Sequence, residues 1–143
     1  MARLAVAQAG VIKGKLSYLS PEQVLGQDVD HQADIYALGL VFYEILSYRK
    51  VYRFDTHIDA IRSIPEQEIP PLISLRPDIP HELNRIVSKC LEKDKHLRYQ
   101  SAQEIHDDLM RLRNKYNITY DASNLADFMR KNFSQDEKTA QQE

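Results

Sequence analysis

The stretch "ADIYALGLVFYEIL", residues 33–46, sets the strictest condition on how this chain folds. It reads as a helix, and Ile35, Leu38, Val41, Phe42, Ile45 and Leu46 fall on every side of it. A helix that is apolar all round is not a surface helix, so this one is expected at the buried centre of a domain. It is too short to span a bilayer and is interrupted by Asp34 and Glu44. The other residues must supply its cover.

Local signals place that cover in further helices. Ser20, Pro21 and Gln23 form a helix start: a cap, a proline at the first helical position, and a side chain able to reach back to the cap. Gly26 closes that short helix, and Asp30 caps the long one, which runs to about Ser47. A shorter helix is expected over 56–64. Prolines at 65, 70, 71, 77 and 80 exclude a continuous helix through 65–80. Pro80 opens the next helix, whose apolar face is Leu83, Ile86, Val87, Cys90 and Leu91. "KDKHLRYQ" is a polar link. "SAQE", residues 101–104, is a capping box for a helix to about Tyr116 with Ile105, Leu109 and Leu112 on its face. Asp121 caps a last helix with Leu125, Phe128 and Met129 turned inward. Residues 1–19 read as an extended loop, and 134–143 as a flexible tail. No strand pattern or repeat appears, so the expected fold is all-α.

Composition narrows the function. At 43% hydrophobic and 28% charged, 143 residues suit one globular domain rather than a disordered or membrane-embedded chain. A net charge of −2 speaks against a nucleic-acid binder that works through a basic field. The single cysteine, Cys90, has no internal disulfide partner and fits a reducing compartment. No secretory leader is legible at the N-terminus. The five histidines, at 31, 57, 81, 96 and 106, lack metal-ligand spacing, so no metal site is expected. Cys90 lies on an apolar helix face and reads as a core residue. Lys93, Lys95, His96 and Arg98 read as a solvated basic link rather than a nucleic-acid patch, Arg98 aside.

Three pieces, in order, resemble the C-terminal lobe of the eukaryotic-like Ser/Thr protein kinases found in bacteria. "SPE" at 20–22 stands where that family has A-P-E, closing the activation segment. "HQADIYALGLVFYEIL" is similar to its central helix, and "LEKDKHLRYQSAQEI" to the link before a later helix. The resemblance implies a kinase lobe over 1–133. Glu22 and Arg98 would form a buried ion pair, suited to arginine because its planar fork grips a carboxylate with two parallel hydrogen bonds. Asp34 would anchor the catalytic loop through that loop's backbone N–H groups. Gly14, Lys15, Leu16, Ser17 and Tyr18 would form the substrate-recognition segment. Lys15 departs from the threonine common there, which weakens the analogy for substrate choice.

The phosphate-holding parts of a kinase are not in this sequence. It has no Gly-rich loop, V-A-I-K lysine, H-R-D loop or D-F-G turn. "MARLA" matches the residues that follow D-F-G in family members, so the expectation is a fragment, a truncated gene product or an alternative start. No catalytic residue and no cofactor is expected in this chain; ATP and magnesium belong to the complete family domain. The expected function is part of a cytoplasmic enzyme that moves the γ-phosphoryl group of ATP to protein Ser/Thr hydroxyls, inactive by itself. The alternatives are a kinase-derived binding module and an unrelated helical domain. The expected partners are a protein substrate or a kinase partner, with no nucleic acid and no membrane segment. A second copy is a further candidate partner, through the uncovered central helix.

Overall fold

The computed structural model describes residues 16–54, 56–119 and 121–133. Among these the chain is helical without strands: a short 3-10 turn, Leu16–Tyr18, then α1 (Pro21–Val24), α2 (Gln32–Ser47), α3 (His57–Glu66), α4 (Leu72–Leu75), α5 (His81–Cys90), α6 (Ala102–Lys115) and α7 (Ala122–Phe133). It divides into two compact units, 1–110 and 111–143.

The helix ends follow the chemistry of their flanking residues. Ser20 precedes α1 with an extended backbone, and its N–H donates to Gln23 Oε1 at 2.9 Å. The Gln32 N–H at the start of α2 donates to Asp30 Oδ1 at 2.8 Å. Thr56 Oγ1 accepts the Asp59 N–H at the start of α3 (3.2 Å). Ser101 Oγ accepts the Glu104 N–H of α6 (3.3 Å), while the Glu104 carboxylate reaches back to the N–H of Gln100 (3.1 Å), one residue before the cap. Two boundaries differ from expectation. Helix α3 continues through Pro65 to Glu66, because in a last turn the missing proline N–H costs a single hydrogen bond. The proline-rich connection also holds one helical turn, α4, started after Pro71 and pinned by the buried Leu72.

Helix α2 organises the first unit. Tyr36, Leu40, Tyr43 and Ser47 repeat at helical spacing along one face and are buried. That face meets α4, α5 and the 3-10 turn. The core there joins Tyr36, Leu40 and Tyr43 to Tyr52, Ala60, Ile64, Leu72, Ile79, Val87 and Leu91. Tyrosines take a large share of it, and each polar tip is satisfied: the hydroxyls of Tyr36 and Tyr52 bond to each other at 2.8 Å, and Tyr43 donates to the Pro70 carbonyl at 3.0 Å. The opposite stripe of α2 is open. Leu38, Val41 and Ile45 are 37%, 39% and 62% exposed, and Asp34 lies in the same stripe. Burial of α2 on every side is thus met on one side only.

The second unit departs further. Asp121 caps α7 as expected, its Oδ1 accepting the N–H groups of Ser123 (2.8 Å) and Asn124 (3.0 Å). Leu125, Phe128 and Met129 are not turned inward, however. They are about half exposed, and α7 has no buried residue. The described residues of this unit are too few to build a core of their own.

Gly39 sets the distance between α2 and α5. A Cβ at this position would lie 2.7 Å from Cys90 Cβ and 3.0 Å from two Leu91 side-chain carbons. Alanine gains about 1 kcal/mol of helix propensity over glycine, whereas overpacking a close contact costs about 1–3 kcal/mol. Gly39→Ala should therefore lower the urea midpoint. An unchanged or raised midpoint would show that the two helices are free to move apart.

Candidate functional site

The centre of the site is Arg98, whose side chain is fully buried against Glu22, 3% exposed. A guanidinium has five N–H donors, and here each has an acceptor. Nη1 and Nη2 donate to the two Glu22 carboxylate oxygens, both at 2.7 Å. Nη1 also reaches the Gln32 carbonyl (3.1 Å), Nη2 the Lys93 carbonyl (3.1 Å), and Nε the Glu92 carbonyl (2.7 Å). The guanidinium stacks over the Tyr36 ring with its carbon 4.9 Å from the centroid. Burial opposes ionisation of Glu22, but the Arg98 hydrogen bonds and charge, with a backbone N–H, outweigh it and hold the carboxyl below its ordinary value.

The link that carries Arg98 is tied down along its length. Gln32, itself buried, donates from Nε2 to the Lys95 carbonyl (2.7 Å). Lys95 Nζ pairs with Asp30 (3.0 Å), and His31 Nε2 lies 2.8 Å from the Gln100 carbonyl. Lys93 corrects the picture of a solvated link. Its ammonium is turned inward and donates to the hydroxyls of Tyr36 and Tyr52 and to the Ile64 carbonyl. Burial, with the nearby Arg98 charge, pushes its pKa down to about 8. Nothing in the sequence separates Lys93 from its exposed neighbours, because its acceptors come from residues 36, 52 and 64.

The segment leading into α1 is anchored from below. Leu16 and Ser17 are buried, and the turn they form with Tyr18 contacts α2 and α3. Tyr18 donates its hydroxyl to Glu44 Oε2 at 2.6 Å, and Lys50 lies over the Tyr18 ring at 5.5 Å. Gly14 and Lys15 lie outside the described residues. Asp34 stands apart from Glu22 and Arg98, exposed on the open stripe of α2, with no hydrogen bond to its carboxylate among the described residues. Cys90 is wholly buried and its thiol is pushed up to about 12 by burial, which suits a packing role. Among the described residues no group of His, Cys, Asp and Glu could hold a metal, and no helix is long and apolar enough to cross a membrane.

This lobe, with its buried carboxylate–guanidinium clasp, has clear relatives. Residues 2–110 match the protein kinase domain, and the chain belongs to that family. A probable serine/threonine-protein kinase of Clostridium acetobutylicum is 41% identical over 106 residues, 73% of this chain and 16% of the relative. The tyrosine-protein kinase MasK of Myxococcus xanthus is 32% identical over 137 residues, 96% of this chain and 21% of the relative. The serine/threonine-protein kinase PknB of Mycobacterium tuberculosis is 38% identical over 112 residues, covering 77% and 18%. The chain thus spans about a fifth or less of the length of these relatives. Among solved structures, the twitchin kinase region from C. elegans shares the fold, with a TM-score of 0.54 at 20% identity over 68% of this chain and 17% of that one.

Two outcomes follow from the clasp and from Lys93. Arg98→Ala leaves a buried carboxylate unpaired and should cost about 3–5 kcal/mol, read as a large fall in the urea midpoint. Because the folded pKa of Glu22 is lowered, its contribution is present above the ordinary glutamate value and lost as pH falls below it. Glu22→Gln should flatten that acid limb, and an Arg98→Ala midpoint equal to wild type would exclude the clasp. For Lys93 the unfolded chain binds more protons between pH about 8 and the ordinary lysine value of 10.5, so stability rises with pH in that window. Because Cys90 and the buried tyrosines, held above their ordinary values, act in the opposite sense, the Lys93 contribution is read as a difference: from pH 8 to 10 the melting temperature should change more favourably in the wild type than in Lys93→Met. Equal slopes in both would place the ammonium in solvent.

Proposed function

We propose that this chain is the substrate-side helical lobe of a protein kinase that transfers the γ-phosphoryl group of ATP to Ser/Thr hydroxyls of proteins in the cytoplasm. The observation that carries the reading is the buried bidentate clasp between Glu22 and Arg98. It fixes the end of the segment 14–22, which would receive the protein substrate, to the helical lobe. Phosphoryl transfer rests on positioning and on charge around phosphates and metal. This sequence has neither the Gly-rich loop nor the H-R-D and D-F-G motifs, so ATP and magnesium would be held by other sequence and the chain alone is inactive. The open stripe of α2 fits that division of labour. Asp34 there would hold a catalytic loop, and Leu38, Val41 and Ile45 would be covered by the preceding part of a kinase domain, or by a second copy in its absence. Ser/Thr rather than Tyr as acceptor is supported by the names of two of the three relatives described. The lone buried Cys90 suits a reducing cytoplasm.

A chimera tests the reading. The kinase domain of the Clostridium acetobutylicum relative, up to and including its D-F-G turn, is joined in frame to residues 2–133. With labelled ATP, magnesium and mixed Ser, Thr and Tyr peptides, it should label Ser or Thr. Asp34→Ala in the chimera should lower the rate about 100-fold or more, a change of roughly 2.7 kcal/mol in the barrier. The chain alone should neither bind a fluorescent ATP analogue nor label any peptide. A chimera that folds and binds ATP yet transfers nothing would overturn the proposal.

A further inference from the structure

The connection between α3 and α5 forms a second surface that the kinase reading does not use. A cleft of roughly 430 Å³ opens between the end of α3, residues 67–71 and α5. Tyr43, Leu72 and Leu91, all buried, lie beneath it. The half-buried Ile69 and the exposed Pro70 and Pro71 form one apolar wall, held extended because proline cannot join a helix interior. Three exposed carboxylates, Glu66, Glu68 and Glu92, line the same cleft. None of them is in an ion pair with a described cation. Lys93 is the one cation among the lining residues, and its ammonium points away to the Tyr36 and Tyr52 hydroxyls and the Ile64 carbonyl. Its charge is thus engaged inward while the three carboxylates face solvent.

We infer that this cleft docks a cationic, extended protein segment: one apolar side chain against the Ile69 and proline wall, flanked by arginines or lysines that meet Glu66, Glu68 and Glu92. Complementary charge selects the partner and speeds its encounter, while the apolar wall supplies the desolvated contact. The same carboxylates repel polyanions, so nucleic acid and acidic membrane surfaces are the wrong chemistry for this face. The volume accommodates a few side chains, not the edge of a folded domain. The inference goes beyond phosphoryl transfer, and its test reads binding alone, so the two stand or fall separately.

The test uses the 143-residue chain and a fluorescein-labelled nonapeptide carrying one leucine between two pairs of arginines, with glycine and serine elsewhere. Fluorescence anisotropy at low salt should give saturable binding. The affinity should fall about tenfold or more when salt rises from about 0.05 to about 0.5 M, because rim charges on a surface are screened. The charge-reversed variant E66K/E68K/E92K should lose at least that factor. Ser88→Trp, at an exposed position lining the cleft, should block binding by filling it while leaving the carboxylates in place. A counterpart peptide with aspartates for arginines should not bind. Absence of saturable binding by the cationic peptide, or binding unchanged in both variants, would overturn the inference.

Discussion

The guanidinium of Arg98 is buried away from solvent, and its five N–H groups find their acceptors in three segments of the chain. Glu22 comes from the segment before α2, Gln32 from the first turn of α2, and Glu92 and Lys93 from the link that carries Arg98 itself. A buried charge is tolerated only when it is paired and its remaining donors are satisfied. The three segments therefore hold one another in place. Lysine could not substitute, since a point ammonium with three donors cannot grip both carboxylate oxygens and three carbonyls together.

The clasp also reaches the aromatic part of the core. Arg98 stacks on Tyr36, Tyr36 bonds Tyr52, and Lys93 donates to both hydroxyls and to the end of α3 through the Ile64 carbonyl. A network of this kind in a low-dielectric interior is strong when complete and costly when one member is removed. It connects the end of the segment at 16–22 to the first half of α2 and to the end of α3. In contrast, the far side of α2 takes no part in it. Asp34, Leu38, Val41 and Ile45 form a stripe that invites cover, which is how a lobe differs from a self-contained domain.

Much of the helical plan was legible from local chemistry. Asp30, Ser101 and Asp121 accept helix-start N–H groups from within a few positions, and the Gln23 side chain reaches back to the Ser20 N–H, so these roles need no knowledge of the fold. The apolar spacing of Ile86, Val87, Cys90 and Leu91 marked the buried face of α5 in the same way. The extension of α3 through Pro65 to Glu66 and the single turn of α4 were not legible. Proline's local rule there yielded to the packing of Ile64 and Leu72 in the core.

What the sequence determined by itself is the set of local choices: where helices begin, which faces are apolar, and that Glu22 and Arg98 are the right residue types for a clasp in a protein kinase lobe. Only the tertiary structure decided which charges are structural. Lys93 and Lys95 are two residues apart in one polar link, yet Lys93 turns inward to residues 36, 52 and 64 while Lys95 pairs at the surface with Asp30. It likewise decided that Gly39 marks the closest approach of α2 to α5, and that α2 is buried on one face and open on the other. The physical reason is the same in each case. Burial and satisfaction of a side chain depend on neighbours far away in the chain, whereas propensity and capping depend on neighbours within a turn.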